Sequence, residues 1–143
     1  METHWVGNCE VNVVKVLVDT NFLLAPFSLG LDLFSELDRV IVAKYEVVVL
    51  DCVLRELKEL ARRGGKIGRM ARSALELVDR ANVKFCSFSC GGVDESILNY
   101  AKKVERCVVA TNDRELRRKL REAGVAVVFL RQEDHLALDG EVL

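Results

Sequence analysis

Residues 107–116, CVVATNDREL, change from a strand-like to a helix-like pattern within a few positions. The opening CVVA is continuously apolar and rich in valine, which is typical of a strand covered on both faces of a parallel sheet. Thr111, Asn112 and Asp113 interrupt the apolar run, and the residues after them have helical spacing. A buried strand that leads through polar residues directly into a helix is the repeating unit of an α/β fold.

The same alternation extends along most of the chain. The other strand-like segments are VNVVKVLV (11–18), YEVVVL (45–50), VKFCSF (83–88) and VAVVFL (125–130). The helix-like segments are LDLFSELDRVI (31–41), VLRELKELARR (53–63), KIGRMARSALELVDRA (66–81), ESILNYAKKV (95–104) and RELRRKLREAG (114–124). Strands that alternate with helices predict a three-layer, Rossmann-like α/β fold with a central, mostly parallel five-stranded sheet flanked by helices.

Length and composition indicate a globular protein. A chain of 143 residues is typical of one domain, here residues 1–143, and such a domain buries about 70% of its unfolded surface. Half of the residues are hydrophobic and 30% are charged, which excludes a disordered chain. No apolar run approaches the roughly 20 residues of a membrane span, and the N-terminus does not resemble a signal peptide. We therefore expect a cytoplasmic protein with no membrane association.

The cysteines and histidines do not form a recognisable metal or disulfide pattern. An odd number of cysteines with irregular spacing argues against a secreted disulfide framework. Zinc binding is not expected either, because the single C-x3-C pair has no second pair and His4 and His135 are at opposite ends. We expect most of the thiols to be buried as small apolar groups. The cysteines are Cys9, Cys52, Cys86, Cys90 and Cys107.

Basic residues are concentrated in two helix-like segments, although the net charge is only -1. Such clusters suit the phosphate backbone of a nucleic acid, because each neutralised phosphate releases counterions. A solvated helix face that carries interleaved glutamates explains them equally well. The first cluster contains Arg62, Arg63, Lys66, Arg69 and Arg72, and the second contains Arg114, Arg117, Arg118, Lys119 and Arg121.

Two aspartates follow predicted strands and should meet. Asp19 comes directly after the first strand and Asp113 follows the fourth. In an open α/β sheet the carboxyl ends of parallel strands share one edge, which carries the functional crevice. A purely structural role is the alternative: Asn112 and Glu115 have the spacing of a capping box, which would place Asp113 in the first helical turn. Asp94 could likewise be a helix N-cap.

Helix capping does not account for Glu56, which lies inside a helix next to the apolar Leu57. We expect this acid to face the edge of the core and to have a partner. Carboxylates held close together resist ionisation unless a cation neutralises them, and oxygen ligands favour Mg²⁺ or Mn²⁺ over zinc. A cluster of Asp19, Glu56, Asp94 and Asp113 therefore predicts a divalent-metal site suited to hydrolysis of a phosphodiester.

The chain resembles the PIN-domain ribonucleases from about Val13 to its end. The resemblance depends on four segments in the family's order: VLVDTNFLL, VLRELKEL, VDESILNYA and VVATNDRELRRKL. It implies that Asp19, Glu56, Asp94 and Asp113 form a catalytic, metal-binding acidic quartet, with Glu95 as an alternative to Asp94. It also implies supporting roles for Thr111 and Asn112, a magnesium cofactor that manganese can replace, and an RNA substrate. The residues expected to bind RNA are Arg62, Arg63, Lys66 and Arg69.

Several functions within this family stay open. The resemblance extends both to VapC-type toxins, which implies an antitoxin protein as partner, and to nucleases that process ribosomal RNA. A PIN fold that only binds RNA as a scaffold is a third reading. The family commonly forms homodimers, for which Phe27 and Phe34 are candidate contacts unless they belong to the core. A nucleotide-binding module is not favoured, because GGKIGR matches neither GxGxxG nor a Walker A loop.

Overall fold

A computed structural model describes residues 13–88 and 91–142 of the chain. The strands are β1 (Val14–Val18), β2 (Tyr45–Leu50), β3 (Lys84–Cys86), β4 (Cys107–Ala110), β5 (Ala126–Arg131) and β6 (His135–Asp139). The helices are α1 (Thr20–Leu29), α2 (Leu33–Val40), α3 (Asp51–Ala61), α4 (Gly65–Arg80), α5 (Val93–Lys103) and α6 (Arg114–Glu122). The predicted three-layer α/β fold is confirmed.

The strand order of the sheet is β3-β2-β1-β4-β5-β6. All neighbouring pairs among the first five strands are parallel, while β6 runs antiparallel to β5. The chain moves outward from β1 in one direction through β2 and β3, and then in the other direction through β4 and β5. The order thus reverses between β1 and β4, and the crevice of a doubly wound sheet lies at this point.

The sheet contains one strand more than the five that the sequence predicts. In β6, at the edge of the sheet, Leu136 is buried and the other four residues are partly exposed, so this strand lacks the continuous apolar run of a central strand. The turn before it contains Gln132 and Glu133 with positive φ values of 55° and 61°. Because neither residue is the glycine or asparagine that such a turn usually carries, the sequence gives no hairpin signal here.

Helix α1 is absent from the helical segments predicted from sequence. Pro26 lies inside it and removes one backbone N–H donor, which is unfavourable in a helix interior. Four apolar side chains of α1 are nevertheless buried in the core, and this packing outweighs the local penalty. They are Phe22, Leu23, Leu24 and Pro26.

The loop between α3 and α4 is closely packed. A Cβ atom placed on Gly68 would lie 1.9 Å from the carbonyl oxygen of Arg63, so only glycine permits this approach of α4 to the end of α3. The guanidinium of Arg72 donates a hydrogen bond of 2.8 Å to the carbonyl of Ala61. The first basic cluster is therefore carried on a fixed helical hairpin.

Cys52, Cys86 and Cys107 are buried free thiols, as expected. Burial raises the pKa of Cys107 to about 12. Cys9, Cys90 and His4 lie outside the described residues. Among the described residues, no helix has both the length and the apolar character needed to cross a membrane.

Candidate active site

The acidic side chains at the carboxyl edge of the sheet come from four separate elements. Asp19 directly follows β1, and Asp113 is three residues beyond the end of β4. Asp94 is in the first turn of α5, and Glu56 is in the middle of α3. Because β1 and β4 pair in parallel with Val18 beside Ala110, Asp19 and Asp113 extend from the same edge of the sheet.

Asp19 is buried, with 5% of its surface exposed, and it is the N-cap of α1. Its Oδ1 accepts a hydrogen bond of 2.8 Å from the backbone N–H of Thr20. Its Oδ2 accepts a second hydrogen bond of 2.8 Å, which the hydroxyl of Thr111 donates. Burial raises the pKa of Asp19, these two hydrogen bonds oppose the rise, and the charges of Asp94 and Glu56 add to it.

Thr111 is fully buried and connects the two strand-end aspartates. While its hydroxyl donates to Asp19, its oxygen accepts a hydrogen bond of 3.1 Å from the backbone N–H of Asp113. Asn112 has a different task, because its Oδ1 accepts a hydrogen bond of 2.8 Å from the N–H of Leu130 in β5. Thr111 thus contacts the acidic site directly, whereas Asn112 holds the backbone beside it.

Asp113 is itself the N-cap of α6, and the predicted capping box is wrong. One of its carboxylate oxygens accepts hydrogen bonds from the N–H groups of Glu115 and Leu116, at 2.9 and 3.1 Å. Asn112 instead bonds to Leu130, so it does not cap the helix. The helix N-terminus therefore holds the Asp113 side chain in a fixed orientation and favours its negative charge.

Asp94 is not an N-cap, and that structural alternative is also wrong. Gly92 occupies the N-cap position of α5 without a side-chain hydrogen bond, and Asp94 lies within the first turn. The side chain is exposed, yet partial burial, followed by the charges of Asp113 and Glu56, raises the pKa of its carboxyl group. The nearby ammonium group of Lys119 opposes this rise.

Glu56 departs from the sequence expectation. It is exposed on α3, while its neighbour Leu57 is completely buried. Within residues 13–88 and 91–142 its carboxylate forms neither a hydrogen bond nor an ion pair, although we expected a partner. An amphipathic helix gives adjacent residues different faces, so the burial of Leu57 does not extend to Glu56.

The four acids affect one another electrostatically, but they do not form a closed ligand shell. Burial raises the pKa values of both Asp19 and Asp94, and the charges of the other acids add to the rise. Across the described part of the chain, no three histidine, cysteine or acidic side chains are close enough together to ligate one ion. All-oxygen donors of this kind are those that Mg²⁺ and Mn²⁺ take. The donor set therefore fits a divalent cation.

The Thr111→Val substitution tests the connection between the two aspartates. It removes the hydrogen bond to buried Asp19 and leaves the N–H of Asp113 without its acceptor, so we expect a loss of roughly 1–3 kcal/mol in the free energy of unfolding. Because Thr111 orients the carboxylate of Asp19, any hydrolytic activity of the acidic site should also fall about 10- to 100-fold. Chemical denaturation and cleavage rates measure the two effects. Thr111→Ser keeps the hydroxyl and should retain both properties; a fully stable and active valine variant would disprove the connection.

The two basic clusters differ in how far their charges are already paired. In α6, Arg117 and Arg121 bind Asp139 at 3.0 and 3.4 Å, and Arg118 pairs with Glu115 and Glu122. Arg118 supports the interpretation of a solvated helix face with interleaved glutamates, whereas Arg117 and Arg121 connect α6 to β6.

In the first cluster, Arg62 pairs with Glu59 at 2.8 Å. Arg63, Lys66 and Arg69 are exposed and have no ion pair among the described residues. Among the described residues, this cluster therefore has three cationic side chains that no acid neutralises.

A doubly wound sheet with acidic side chains at its switch point defines an α/β protein with an acidic site at the carboxyl edge of its sheet. Comparison with known protein families identifies the family to which this α/β protein belongs. The family described as "PIN like domain" matches residues 16–133, and the chain belongs to this family of PIN-domain ribonucleases.

Named relatives fall into two groups. Ribonuclease VapC4 of Methanocaldococcus jannaschii is 35% identical over 129 residues, covering 90% of this chain and 98% of that protein. The rRNA-processing protein FCF1 of Saccharomyces cerevisiae is 29% identical over 110 residues, covering 76% of this chain and 54% of that protein. The chain thus spans about half the length of this second relative. A structure of the PIN domain endonuclease Utp24 superimposes with a TM-score of 0.74 at 25% identity, covering 90% of this chain and 92% of that one.

Proposed function

We propose that this protein is a magnesium-dependent endoribonuclease and acts as the toxin of a VapC-type toxin-antitoxin pair. The observation that supports this most directly is the set of four acids at the switch point, where burial and then the charges of the other acids raise the pKa values of Asp19 and Asp94. The similarity to Ribonuclease VapC4 over 98% of that protein supports the toxin assignment.

Asp19, Glu56, Asp94 and Asp113 would hold the cation, with Mg²⁺ as the resident ion and Mn²⁺ as a substitute. A bound divalent ion activates water for attack on phosphorus and neutralises the charge that develops on the phosphate. Raised pKa values for Asp19 and Asp94 fit this role, because a nearby cation stabilises the ionised form of both.

Other side chains would prepare the site and bind the substrate. Thr111 fixes one oxygen of Asp19, and the N-terminus of α6 fixes Asp113. Arg63, Lys66 and Arg69 would bind phosphates of the RNA strand, since their charges are not used within the described protein. Arg62 would contribute less than the others, because Glu59 already neutralises it.

Partners and assembly follow from the toxin proposal. An antitoxin protein would mask the acidic site, and the chain would act as a single PIN domain over residues 1–143. Phe27 is a candidate for a homodimer contact because 39% of its surface is exposed. Phe34 is a weaker candidate, since it is partly buried against the core.

Processing of ribosomal RNA is the second candidate function. The similarity to the FCF1 protein and to the PIN domain endonuclease Utp24 favours it. A toxin would cut RNA without further components and would be blocked by its antitoxin, whereas a processing enzyme would require a ribosomal precursor. A scaffold without catalysis is less favoured, because each of the four acidic positions still carries an acid.

Metal-dependent cleavage of labelled RNA tests the proposed activity. Purified protein is incubated with a structured and a single-stranded RNA, each with Mg²⁺, with Mn²⁺ and with chelator. We expect cuts with either metal and none with chelator, and growth arrest on expression would support the toxin role. Asp19→Asn should not make these cuts, and Asp32→Asn is its matched control, because Asp32 is also a helix N-cap but stands at the start of α2. Cleavage that continues in chelator would disprove metal dependence.

A further inference from the structure

A cleft lies next to the acidic site, and most of the residues that line it are not among the four acids. It is lined by Asn21, Arg55, Glu56, Glu59, Leu60 and Arg63. Asn21 belongs to α1, two residues after Asp19, and the other residues come from α3 or directly follow it. Since Glu56 is both a wall of the cleft and one of the four acids, whatever occupies the cleft is adjacent to the reacting phosphate.

The lining presents polar groups that the protein does not use itself. Asn21 is exposed, and its amide makes no hydrogen bond to any residue of the described segments. Arg63 is exposed and lacks an acidic partner there. Glu59 is already paired with Arg62, while Arg55 has only a long contact of 3.8 Å to Asp51. The amide of Asn21 and the guanidinium of Arg63 are therefore the groups most available to bind a ligand.

An amide, a guanidinium and an apolar side chain together match the chemical groups of one nucleotide in a nucleic acid strand. An asparagine amide is both donor and acceptor, which suits a base edge or a ribose hydroxyl. An arginine guanidinium is a planar fork of donors that fits phosphate. Leu60 is partly buried and supplies apolar surface between them. A small organic anion would use Arg63 but would leave Asn21 and Leu60 without a role.

We infer that the cleft between α1 and α3 is the subsite for the nucleotide next to the scissile phosphate, with Arg63 on a phosphate and Asn21 on the base or ribose. This inference rests on the proposed ribonuclease function, since it assigns part of that substrate. Asn21 and Arg63 are positioning residues in it. The acids carry out the chemistry, and the cleft determines which bond reaches them.

Binding and cleavage together test the subsite. Affinity for a short labelled RNA is measured by fluorescence anisotropy in chelator, which prevents cutting, at several salt concentrations. Asn21→Ala should weaken binding about tenfold, the effect of one well-placed hydrogen-bonding group. Arg63→Ala should weaken it and lower the slope of log affinity against log salt by about 0.7, the value for one phosphate contact on a single strand.

Controls and a kinetic measurement separate a local role from a general one. Ser28→Ala at an exposed position of α1 and Arg80→Ala at the far end of α4 should bind as the parent does. With Mg²⁺, both cleft variants should raise KM while kcat changes little. Homopolymeric RNAs and the corresponding DNA show whether Asn21 contacts the base or the ribose: the preference that Asn21→Ala loses identifies the group.

The outcomes distinguish the subsite from the function on which it rests. A parent protein that binds RNA but does not cut it would contradict the nuclease proposal and leave the binding comparison to decide the cleft. Cleft variants that bind and cut as the parent does would overturn the subsite while the nuclease proposal survives. Equal losses in Ser28→Ala or Arg80→Ala would also overturn it.

Discussion

Replacing Asp19 with asparagine is expected to slow RNA cleavage by more than about 100-fold without unfolding the protein. A loss of this size is typical when a group that acts in the transition state is removed, and it exceeds the effect of most supporting groups. Asparagine is nearly isosteric and keeps an oxygen that accepts a hydrogen bond, so it can still cap α1 through Thr20. It removes the charge that a divalent cation requires.

The stability of this variant provides an independent readout of the same charge. Burial raises the pKa of Asp19 above its ordinary value of 3.8. A carboxyl group with a raised folded-state pKa contributes its stability fully below the unfolded pKa and loses it as pH rises through the folded pKa. The parent is therefore penalised at neutral pH, and the asparagine variant is not. The amide nitrogen of asparagine cannot accept the hydrogen bond that Thr111 donates, so the variant loses this bond at every pH. Thermal unfolding should therefore show that the stability of Asp19→Asn relative to the parent is higher at about pH 7 than at about pH 4.

Two results would contradict this account. Cleavage by Asp19→Asn at the parental rate would remove Asp19 from the site. A variant that melts far below the parent at neutral pH would make the carboxylate a structural element whose charge the fold requires. Asp32→Asn, which exchanges another capping carboxylate for its amide, controls for the substitution itself.

Asp113 offers a comparison that separates catalysis from helix capping. Asp113→Asn should lose cleavage by roughly 100-fold or more, for the same reason as Asp19→Asn. Its stability should change by less than about 0.5 kcal/mol, because asparagine is as good an N-cap as aspartate. The variant loses the attraction between the Asp113 carboxylate and the helix dipole. This loss is offset because the repulsion between the charges of Asp113 and Asp94 is also removed.

The alanine variant changes both properties. Asp113→Ala also removes the hydrogen bonds to the N–H groups of Glu115 and Leu116, so it should cost about 1 kcal/mol of unfolding free energy. For a protein of this size the melting temperature should fall by about 2–4 °C for each kcal/mol. Cleavage rates and thermal melts of parent, Asn and Ala variants separate the two roles. If the Asn variant is active and only the Ala variant is impaired, Asp113 acts as a cap alone.

The sequence was most informative where one local rule applied. Continuous valine-rich runs identified the central strands, because a strand that is buried on both faces is apolar at nearly every position. It failed at α1, where core packing overrides Pro26, and at β6, where an edge strand and an atypical turn lack the usual pattern. In both cases tertiary contacts supply stabilisation that no short window of sequence shows.

Some features of the candidate site could also be predicted from the sequence, whereas others were visible only in the structure. The positions of Asp19 and Asp113 after strands predicted a shared edge, and the parallel pairing of β1 with β4 confirms it. Nothing in the sequence showed that Thr111 contacts both positions, or that Asn112 turns away to bond with Leu130. Asn21 and the cleft were missed, although Asn21 lies in the DTN segment, because a cleft between two helices leaves no periodic pattern.

The sequence by itself determined the class of fold, the order of the central elements and the acidic residues at the strand ends, because local hydrophobic pattern and strand direction are sufficient for these. The tertiary structure alone decided which groups are paired and which are free. It showed Asp113 as a helix cap within the site, Glu56 without a hydrogen bond or ion pair among the described residues, and three arginines of α6 paired with acids. Hydrogen bonds and ion pairs depend on distances of a few ångströms between segments far apart in the chain, and these are fixed only when the whole sheet and its helices pack together.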